Sequence, residues 1–387
     1  MTNATGKPEN RFERHPFLTL LAVVLTAILL GTVVFVMIYY HRQKAALEHE
    51  GIMNAAFTYR IDSPVYHHDL AKKQIVKTAT WGNRRYRLCT NSLGFRDASP
   101  RTVPLSTNKY RIVFMGDSFT EGIGLPYEKT FPGIVDQRLR KYNVSVLNAG
   151  VVSYSPIIYW RKTKYLLETV GLSFDEIVIF LDISDARDEA ESYYLDDNGN
   201  VKSAIMDDRQ LREKVINRIR KDQAVNSLKK FMGILAELLP PESGHPGTWT
   251  IDQQQFNKFG KKGLKQMAHY MNRLRVLLAE HDIKLTVAVY PWPVQIAAGD
   301  RKSIQAVYWR KWCADYGIDF LNYFPLFCPA KKPERKHIIE TCFINGDTHW
   351  SYKGHQWVAD VFCDYFHKTH QPDILPAPKA GADKSFP

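Results

Sequence analysis

The sequence has few cysteines and no arrangement of them that is typical of a metal site. Its 387 residues include five, at Cys89, Cys313, Cys328, Cys342 and Cys363. The absence of a CxxC pair and of a His/Cys cluster argues against zinc, and an odd number leaves at least one thiol unpaired. His67 and His68 form an isolated pair, for which a structural or exposed role is the favoured interpretation.

Acidic residues are also in short supply. Against 52 Lys and Arg there are 40 Asp and Glu, which gives a net charge of +12. A basic surface favours anionic neighbours such as lipid headgroups, acidic polysaccharide or nucleic acid, and a merely soluble basic protein is an equal alternative. No nucleic-acid-binding motif is present, so we expect no nucleic-acid partner. Hydrophobic residues at 45% and charged residues at 24% exclude a disordered or fibrous chain.

Uncharged runs of more than 20 residues are absent except for one, which includes the 24 residues 17–40. A helix of that length reaches ~36 Å, enough to cross a hydrocarbon core of ~30 Å. A signal peptide would have a shorter apolar stretch and a small-residue cleavage site, whereas this run ends in Tyr39 and Tyr40. Three Lys or Arg residues precede it and two follow closely. We therefore expect an uncleaved inner-membrane anchor with the N-terminus in the cytoplasm and the bulk of the chain outside.

The rest of the chain divides by composition. A cytoplasmic tail (1–16) and the anchor (17–40) precede a polar lead-in (41–106), a main domain (107–370) and a disordered tail (371–387). Within the main domain, residues 204–247 have apolar residues at helical spacing and end in a Pro/Gly-rich stretch. We interpret them as an inserted helical subdomain. A lid over the site and a cationic surface that faces the membrane are the alternative interpretations.

Short apolar segments alternate with helical segments through the main domain. The predicted strands are 110–115, 144–149, 176–181, 285–290 and 318–324. The predicted helices are 127–142, 156–170, 252–281, 302–315 and 352–368. Strands that are apolar on both faces and alternate with helices predict an α/β domain with a central parallel sheet of about five strands, covered on both sides.

Ser118 lies where the first of these strands ends, within the segment GDSFTEG at 116–122. Ligands of open parallel sheets bind beyond the C-terminal strand ends, and free amides at a helix N-terminus can stabilise an oxyanion. Ser118 is thus a candidate nucleophile, with helix capping as the commoner alternative. Asp347 and His349, two residues apart before a predicted helix, are candidates for the orienting acid and the general base.

Three segments together resemble the conserved blocks of SGNH/GDSL hydrolases, which are serine esterases and acyltransferases. GDSFTEG resembles the nucleophile block, LNAGVVSYSP (147–156) the second block, and GDTHWSYKGH (346–355) the block with the acid and the base. TNSLGFRD (90–97) is similar to a segment of membrane-anchored bacterial members. The resemblance implies a flavodoxin-like three-layer α/β/α fold and assigns Ser118 as nucleophile, Asp347 and His349 as its partners, and Gly150 as an oxyanion-hole amide.

Two departures from the family pattern affect the expected activity. In FLDISDARDE (180–189), Ser184 stands where the family has an oxyanion-donating Asn, so a role for Ser184 in the oxyanion hole is in doubt. The Asp-x-His spacing of Asp347 and His349 resembles alginate-type O-acetyltransferases. The resemblance implies an esterase acting on O-acyl groups of an envelope glycan or lipid, or an O-acetyltransferase served by a membrane acyl-donor protein.

The covalent chemistry of either activity needs neither a cofactor nor a metal. A glycan-binding module without activity is the alternative from another class.

Cys328 and Cys342 flank a basic segment just before Asp347. In an oxidising compartment a disulfide between them would close a loop of about 15 residues and stabilise the fold by roughly 3 kcal/mol. Two unpaired core thiols are an equal alternative.

Overall fold

The computed structural model describes residues 15, 17–21, 23–27, 59–81, 84–204 and 246–370. Residues 1–58 and 59–387 form two separate units, and residues 17–21 and 23–27 of the first are helical. Among the described residues, no helix combines the length and the apolar character that crossing a membrane requires. Most of the expected anchor, nearly all of the 204–247 insertion and the tail at 371–387 lie outside the described residues.

An eight-stranded sheet forms the centre of the second unit. The strands of the unit are β1 (Arg60–Ser63), β2 (His67–Leu70), β3 (Ile75–Trp81), β4 (Arg84–Thr90), β5 (Arg96–Asp97), β6 (Tyr110–Gly116), β7 (Val144–Asn148), β8 (Glu176–Leu181), β9 (Tyr193–Leu195), β10 (Val201–Ser203), β11 (Lys284–Val289) and β12 (Asp319–Asn322). The order in the central sheet is β12-β11-β8-β6-β7-β5-β4-β3. The strand pairs β1–β2 and β9–β10 form two small antiparallel sheets beside it.

The five predicted strands form the parallel part of this sheet. They are β6, β7, β8, β11 and β12, and their ends lie within two residues of the predicted ones. Numbered in chain order, they run 2-1-3-4-5, which is the flavodoxin-like arrangement. Strands β6 and β8 are almost entirely buried because helices cover both faces of the sheet.

The prediction of about five strands was wrong for the sheet as a whole, because the lead-in segment contributes three more. Strands β3, β4 and β5 extend the sheet antiparallel beyond β7, and β5 contacts β7 through the single pair Arg96–Asn148. Strand β3 is an edge strand with mostly exposed or half-buried residues, so its composition resembles a polar loop. The buried Arg96 guanidinium binds this extension to the core by donating to the carbonyl groups of Glu121, Gly122 and Leu125.

Two groups of helices cover the sheet. The helices of the second unit are α1 (Ser118–Glu121), α2 (Phe131–Leu139), α3 (Pro156–Tyr165), α4 (Asp185–Arg187), α5 (Gln253–Gln255), α6 (Lys261–Glu280), α7 (Pro293–Ala298), α8 (Ile304–Tyr316), α9 (Phe324–Phe327), α10 (Lys332–Cys342) and α11 (Tyr352–Thr369). Helix α2 packs against α11, and α3 packs against α6. Because the strand order reverses after β7 and crossovers are right-handed, the two groups lie on opposite faces.

Most of the basic segment between Cys328 and Cys342 is helical, since Lys332–Cys342 forms α10. All five cysteines are buried and unpaired, so the structure does not contain the disulfide that the sequence left open. Burial raises the pKa of the Cys342 thiol to about 11.

Candidate active site

Ser118 is held at a sharp turn between β6 and α1. Asp117 caps the helix, because its Oδ1 accepts a hydrogen bond from the Phe119 amide at 3.0 Å. Gly116 is required by the turn: a Cβ there would lie 2.3 Å from Thr120 Oγ1 and 3.0 Å from the Phe180 carbonyl oxygen. The helix thus folds closely over the strand end and places Ser118 beyond the centre of the parallel sheet, where ligands bind in such folds.

The three residues predicted to act together form one hydrogen-bonded chain. His349 Nε2 lies 2.8 Å from Ser118 Oγ, and His349 Nδ1 lies 2.6 Å from Asp347 Oδ1. A carboxylate only accepts, so Nδ1 carries the proton and Nε2 is free to accept the serine proton. Ser118 Oγ also lies 3.3 Å from Asp117 Oδ2, which is the longer of its two contacts. This is the arrangement in which a histidine activates a serine.

Trp81 completes the environment of the acid, although no sequence motif marks it. Its indole Nε1 donates to Asp347 Oδ2 at 2.6 Å, and its ring lies edge-on to the His349 ring at 5.2 Å. Burial raises the pKa of Asp347, but the hydrogen bonds and the charge interaction with His349, together with the Trp81 hydrogen bond, hold it well below its usual range. Asp347 is therefore ionised at every pH at which an esterase would be assayed.

The amide of Gly150 is already occupied. It donates to Asn148 Oδ1 at 3.1 Å, and a Cβ on Gly150 would lie 2.7 Å from Thr120 and 2.9 Å from the Glu121 amide nitrogen. The glycine is thus needed because the second block packs against α1. The role of its amide as an oxyanion donor stays a prediction that would require this hydrogen bond to break.

Within residues 150–154, the Ser153 amide is the one for which the described structure shows no acceptor. The Val151 amide donates to the Gly116 carbonyl group, the Val152 amide to Glu121 Oε2, and the Tyr154 amide to the Val151 carbonyl group. Ser153 is exposed and has a φ of +63°, a left-handed conformation that is uncommon for serine. Its N–H group is the candidate second donor, beside the amide of Ser118 at the N-terminus of α1.

Ser184 does not offer its hydroxyl to the site. Both its amide and its Oγ donate to Asp182 Oδ1, at 2.7 and 2.6 Å. A serine hydroxyl has one proton to donate, so in this conformation Ser184 does not replace the family's asparagine.

Three buried carboxyl groups form a cluster that includes Asp117, the residue before the nucleophile. Oxygens of Asp117, Asp182 and Asp185 come within 4.8 Å of one another. Four of the six oxygens accept hydrogen bonds from protein groups, including Tyr290 to Asp117 and Trp292 to Asp182. A fifth, Asp117 Oδ2, lies 3.3 Å from Ser118 Oγ, which donates its proton to His349. Burial raises the pKa of all three, and repulsion from Asp182 adds to it at Asp117 and Asp185. Burial thus favours the neutral form of these carboxyl groups, and the expectation that no metal takes part stays a prediction.

No family profile and no curated protein matches the chain. Solved structures do match. A psychrotrophic esterase from a Pseudoalteromonas species is 14% identical, with 67% of this chain and 98% of that chain covered and a TM-score of 0.38. The acetyl xylan esterase AlAXEase is 13% identical, with 66% and 98% covered and a TM-score of 0.38.

A GDSL-like lipase from Bacteroides thetaiotaomicron is 14% identical, with 69% and 92% covered and a TM-score of 0.36. The solved structures that this chain is similar to thus include GDSL-like and ester-cleaving proteins. At these low identities and TM-scores, the resemblance to SGNH/GDSL hydrolases rests on the chain's own sequence blocks and on the geometry of Ser118, His349 and Asp347.

Proposed function

We propose that the chain is a serine enzyme of SGNH type that cleaves an ester through an acyl-serine intermediate. The observation that carries this proposal is the chain of hydrogen bonds from Ser118 through His349 to Asp347, with separations of 2.8 and 2.6 Å. His349 Nε2 takes the proton of Ser118 while Oγ attacks the ester carbonyl carbon. The same nitrogen then delivers that proton to the departing alcohol, which leaves the acyl group on Ser118.

The oxyanion formed in this attack needs donors in fixed positions. The amides of Ser118 and Ser153 supply them, and the Ser184 hydroxyl, held by Asp182, does not. Each such donor is worth ~10²–10³ in rate, so a site with two backbone donors is a slower esterase than one with three.

The test is hydrolysis of a short activated ester, such as 4-nitrophenyl acetate, by the full chain. Ser118→Ala should lower kcat by at least ~10³-fold, because triad members act as a unit. Ser99→Ala is the matched control, since Ser99 is exposed and lies outside the site. Unchanged turnover by a folded Ser118→Ala protein would refute the assignment of the nucleophile.

Acyl transfer to a sugar hydroxyl is the second candidate activity. The absence of a Ser184 donor and the Asp-x-His spacing of Asp347 and His349 favour it over rapid hydrolysis. The acyl-serine would pass to an envelope polysaccharide, and a membrane protein would deliver the acyl group outside the cytoplasm. Adding a sugar acceptor to the ester assay tests this activity. Acetylated sugar formed at the expense of acetate supports transfer, and acetate alone supports hydrolysis.

A non-catalytic glycan-binding module remains as the contrasting class. The assembled Ser118–His349–Asp347 chain speaks against it, because a binding module needs no general base beside a serine. Glycan binding by a wild type that neither hydrolyses esters nor reacts with a serine-directed phosphonate would favour the binding module.

We also propose that residues 17–40 anchor the chain in the inner membrane, with the enzyme domain outside the cytoplasm. The support is the uncharged length of the run and the excess of basic residues before it. A reporter fused after Pro387 tests the orientation. Activity of a reporter that works only in the cytoplasm would show that the orientation is the reverse of the one proposed.

A further inference from the structure

The loop that carries Ser153 is held by hydrogen bonds on three successive peptide groups. Glu121 Oε2 accepts from the Val152 amide at 2.8 Å, His68 Nε2 lies 2.7 Å from the Val152 carbonyl oxygen, and Tyr193 Oη donates to the Ser153 carbonyl oxygen at 2.9 Å. Glu121 is itself fixed, because it is fully buried and forms a two-point ion pair with Arg60 at 2.8 and 3.1 Å.

The contact from His68 acts directly on the Ser153 amide. The Val152 carbonyl group and the Ser153 N–H group belong to one planar trans peptide unit, in which they point in opposite directions. A donor that fixes the carbonyl oxygen on one side therefore fixes the direction of the N–H group on the other side.

The protonation of His68 is determined by its neighbours. A carbonyl oxygen only accepts, so Nε2 of His68 carries a proton and donates it to Val152. In the neutral ring Nδ1 is then an acceptor, and it lies 2.7 Å from His67 Nδ1, which donates to it. Burial, with the nearby His67, lowers the pKa of His68 to about 3, so the ring stays neutral.

The position of the His68 side chain is also fixed. Tyr154 Oη donates to the His68 carbonyl oxygen at 2.6 Å, and the two rings lie edge-on with centroids 4.9 Å apart. His68 is part of β2, which pairs with β1 through four residue pairs. The lead-in segment thus places a rigid donor against the second sequence block, 84 residues further along the chain.

We propose that His68 is a positioning residue that directs the Ser153 amide toward the oxyanion of the substrate. This role rests on the proposed esterase function. It makes the lead-in segment part of the catalytic apparatus, although His68 touches no reacting atom.

The test compares His68→Phe, which keeps a ring but loses the donor, with His68→Gln, whose amide can still donate. The full chain is assayed with a short activated ester. His68→Phe should lower kcat by ~10²–10³-fold, the effect of one lost oxyanion donor, and leave KM nearly unchanged. His68→Gln should recover most of the loss. His367→Phe is the matched control, because His367 also lies edge-on to a tyrosine, at 5.0 Å, but has no contact with this loop.

Amide hydrogen exchange across residues 150–155 is the second measurement and does not depend on activity. Exchange at Val152 and Tyr154 should be slow in the wild type and in His68→Gln, and faster in His68→Phe.

A folded His68→Phe protein with wild-type kcat, or with unchanged exchange in this segment, would overturn the positioning role. If the wild type has no ester activity and Ser118 does not react with a phosphonate, the proposed function fails instead, and the catalytic role of His68 fails with it. The exchange rates then decide separately whether His68 holds the loop.

Discussion

At the scale of single residues, Trp81 is the group whose effect on the proposed chemistry is easiest to isolate. Its indole N–H is a charge-assisted donor to the acid of the triad, at 2.6 Å from Asp347 Oδ2. Such a hydrogen bond contributes about 1.5–3 kcal/mol. The Asp347 carboxylate uses its other oxygen for His349, so losing Trp81 would leave the acid free to rotate.

We therefore predict that Trp81→Phe lowers kcat by roughly 10–100-fold, the kinetic equivalent of that hydrogen bond. The pKa of Asp347 should rise, because one of the interactions that lower it is lost. Trp357→Phe, which changes a tryptophan packed against Phe327, is the control. A wild-type kcat for a folded Trp81→Phe protein would contradict the prediction.

His355 makes a separate prediction about stability. Its Nδ1 accepts from the Phe131 amide at 3.1 Å, and burial lowers its pKa to about 3. The unfolded chain takes up this proton near pH 6.5 and the folded chain does not, so stability falls as the pH falls between 6.5 and 3. At pH 4.5 the loss is roughly 3 kcal/mol.

His355→Gln should remove this component of the acid destabilisation, while His281→Gln, at an exposed position, should not. The measurement is the free energy of unfolding in urea at pH 7 and pH 4.5 for the three proteins. An equal drop for the wild type and His355→Gln would show that this histidine is not buried in its neutral form.

At the scale of elements, the segment from β7 to α3 determines whether the oxyanion can be stabilised. Ser153 has a φ of +63° and therefore carries backbone strain that glycine would not. Its conformation persists because the peptide groups around it bind Glu121, His68 and Tyr193. Strain held by surrounding hydrogen bonds is typical of a functional loop.

Substitutions of Ser153 should distinguish the role of its backbone amide from that of its side-chain hydroxyl. Ser153→Gly should keep kcat and leave the free energy of unfolding unchanged or raised by up to about 1 kcal/mol. Ser153→Val should destabilise by roughly 1–2 kcal/mol and lower kcat, because a branched side chain is unfavourable at positive φ. Urea unfolding and ester kinetics on both variants measure these effects. A large loss of kcat in Ser153→Gly would mean that the hydroxyl, and not the amide, matters.

At the scale of the whole molecule, the lead-in segment is integral to the enzyme domain. Residues before position 107 supply three strands of the central sheet and the contacts of Trp81 with the acid, of Arg96 with the loop after α1, and of His68 with the second block. A domain boundary at residue 107, which the sequence favoured, would therefore separate the site from the residues that support it.

A chain beginning at residue 107 should be insoluble or unfold without a cooperative transition, whereas one beginning at residue 59 should fold. The reason is that the shorter chain exposes the β7 edge and removes the donors to Asp347 and Val152. Circular dichroism and thermal unfolding compare the two. A cooperative, active chain beginning at 107 would contradict this account.

The parallel strands and the Ser118, Asp347 and His349 positions could be predicted because their signals are local. Strands such as β6 and β8 are apolar on both faces, and short sequence blocks mark the triad. Trp81 could not be predicted, because its partner Asp347 is 266 residues away and an exposed edge strand resembles a loop in sequence. The Ser153 amide could not be predicted as an oxyanion donor, because Gly150 in the same block matched the residue type expected for that role. Which amides of the block are already hydrogen-bonded depends on tertiary contacts that the sequence does not show.

The most direct test of Ser118 as the nucleophile is to identify the residue at which a serine-directed fluorophosphonate binds the full chain. Displacement of fluoride by Ser118 Oγ should leave one covalent adduct, which peptide mass mapping should locate on Ser118. Labelling should be slower by orders of magnitude in His349→Ala, because the base that takes the serine proton is then missing. An adduct on any other residue, no adduct, or equal labelling of Ser118 in His349→Ala would contradict the assignment of Ser118 as a nucleophile activated by His349.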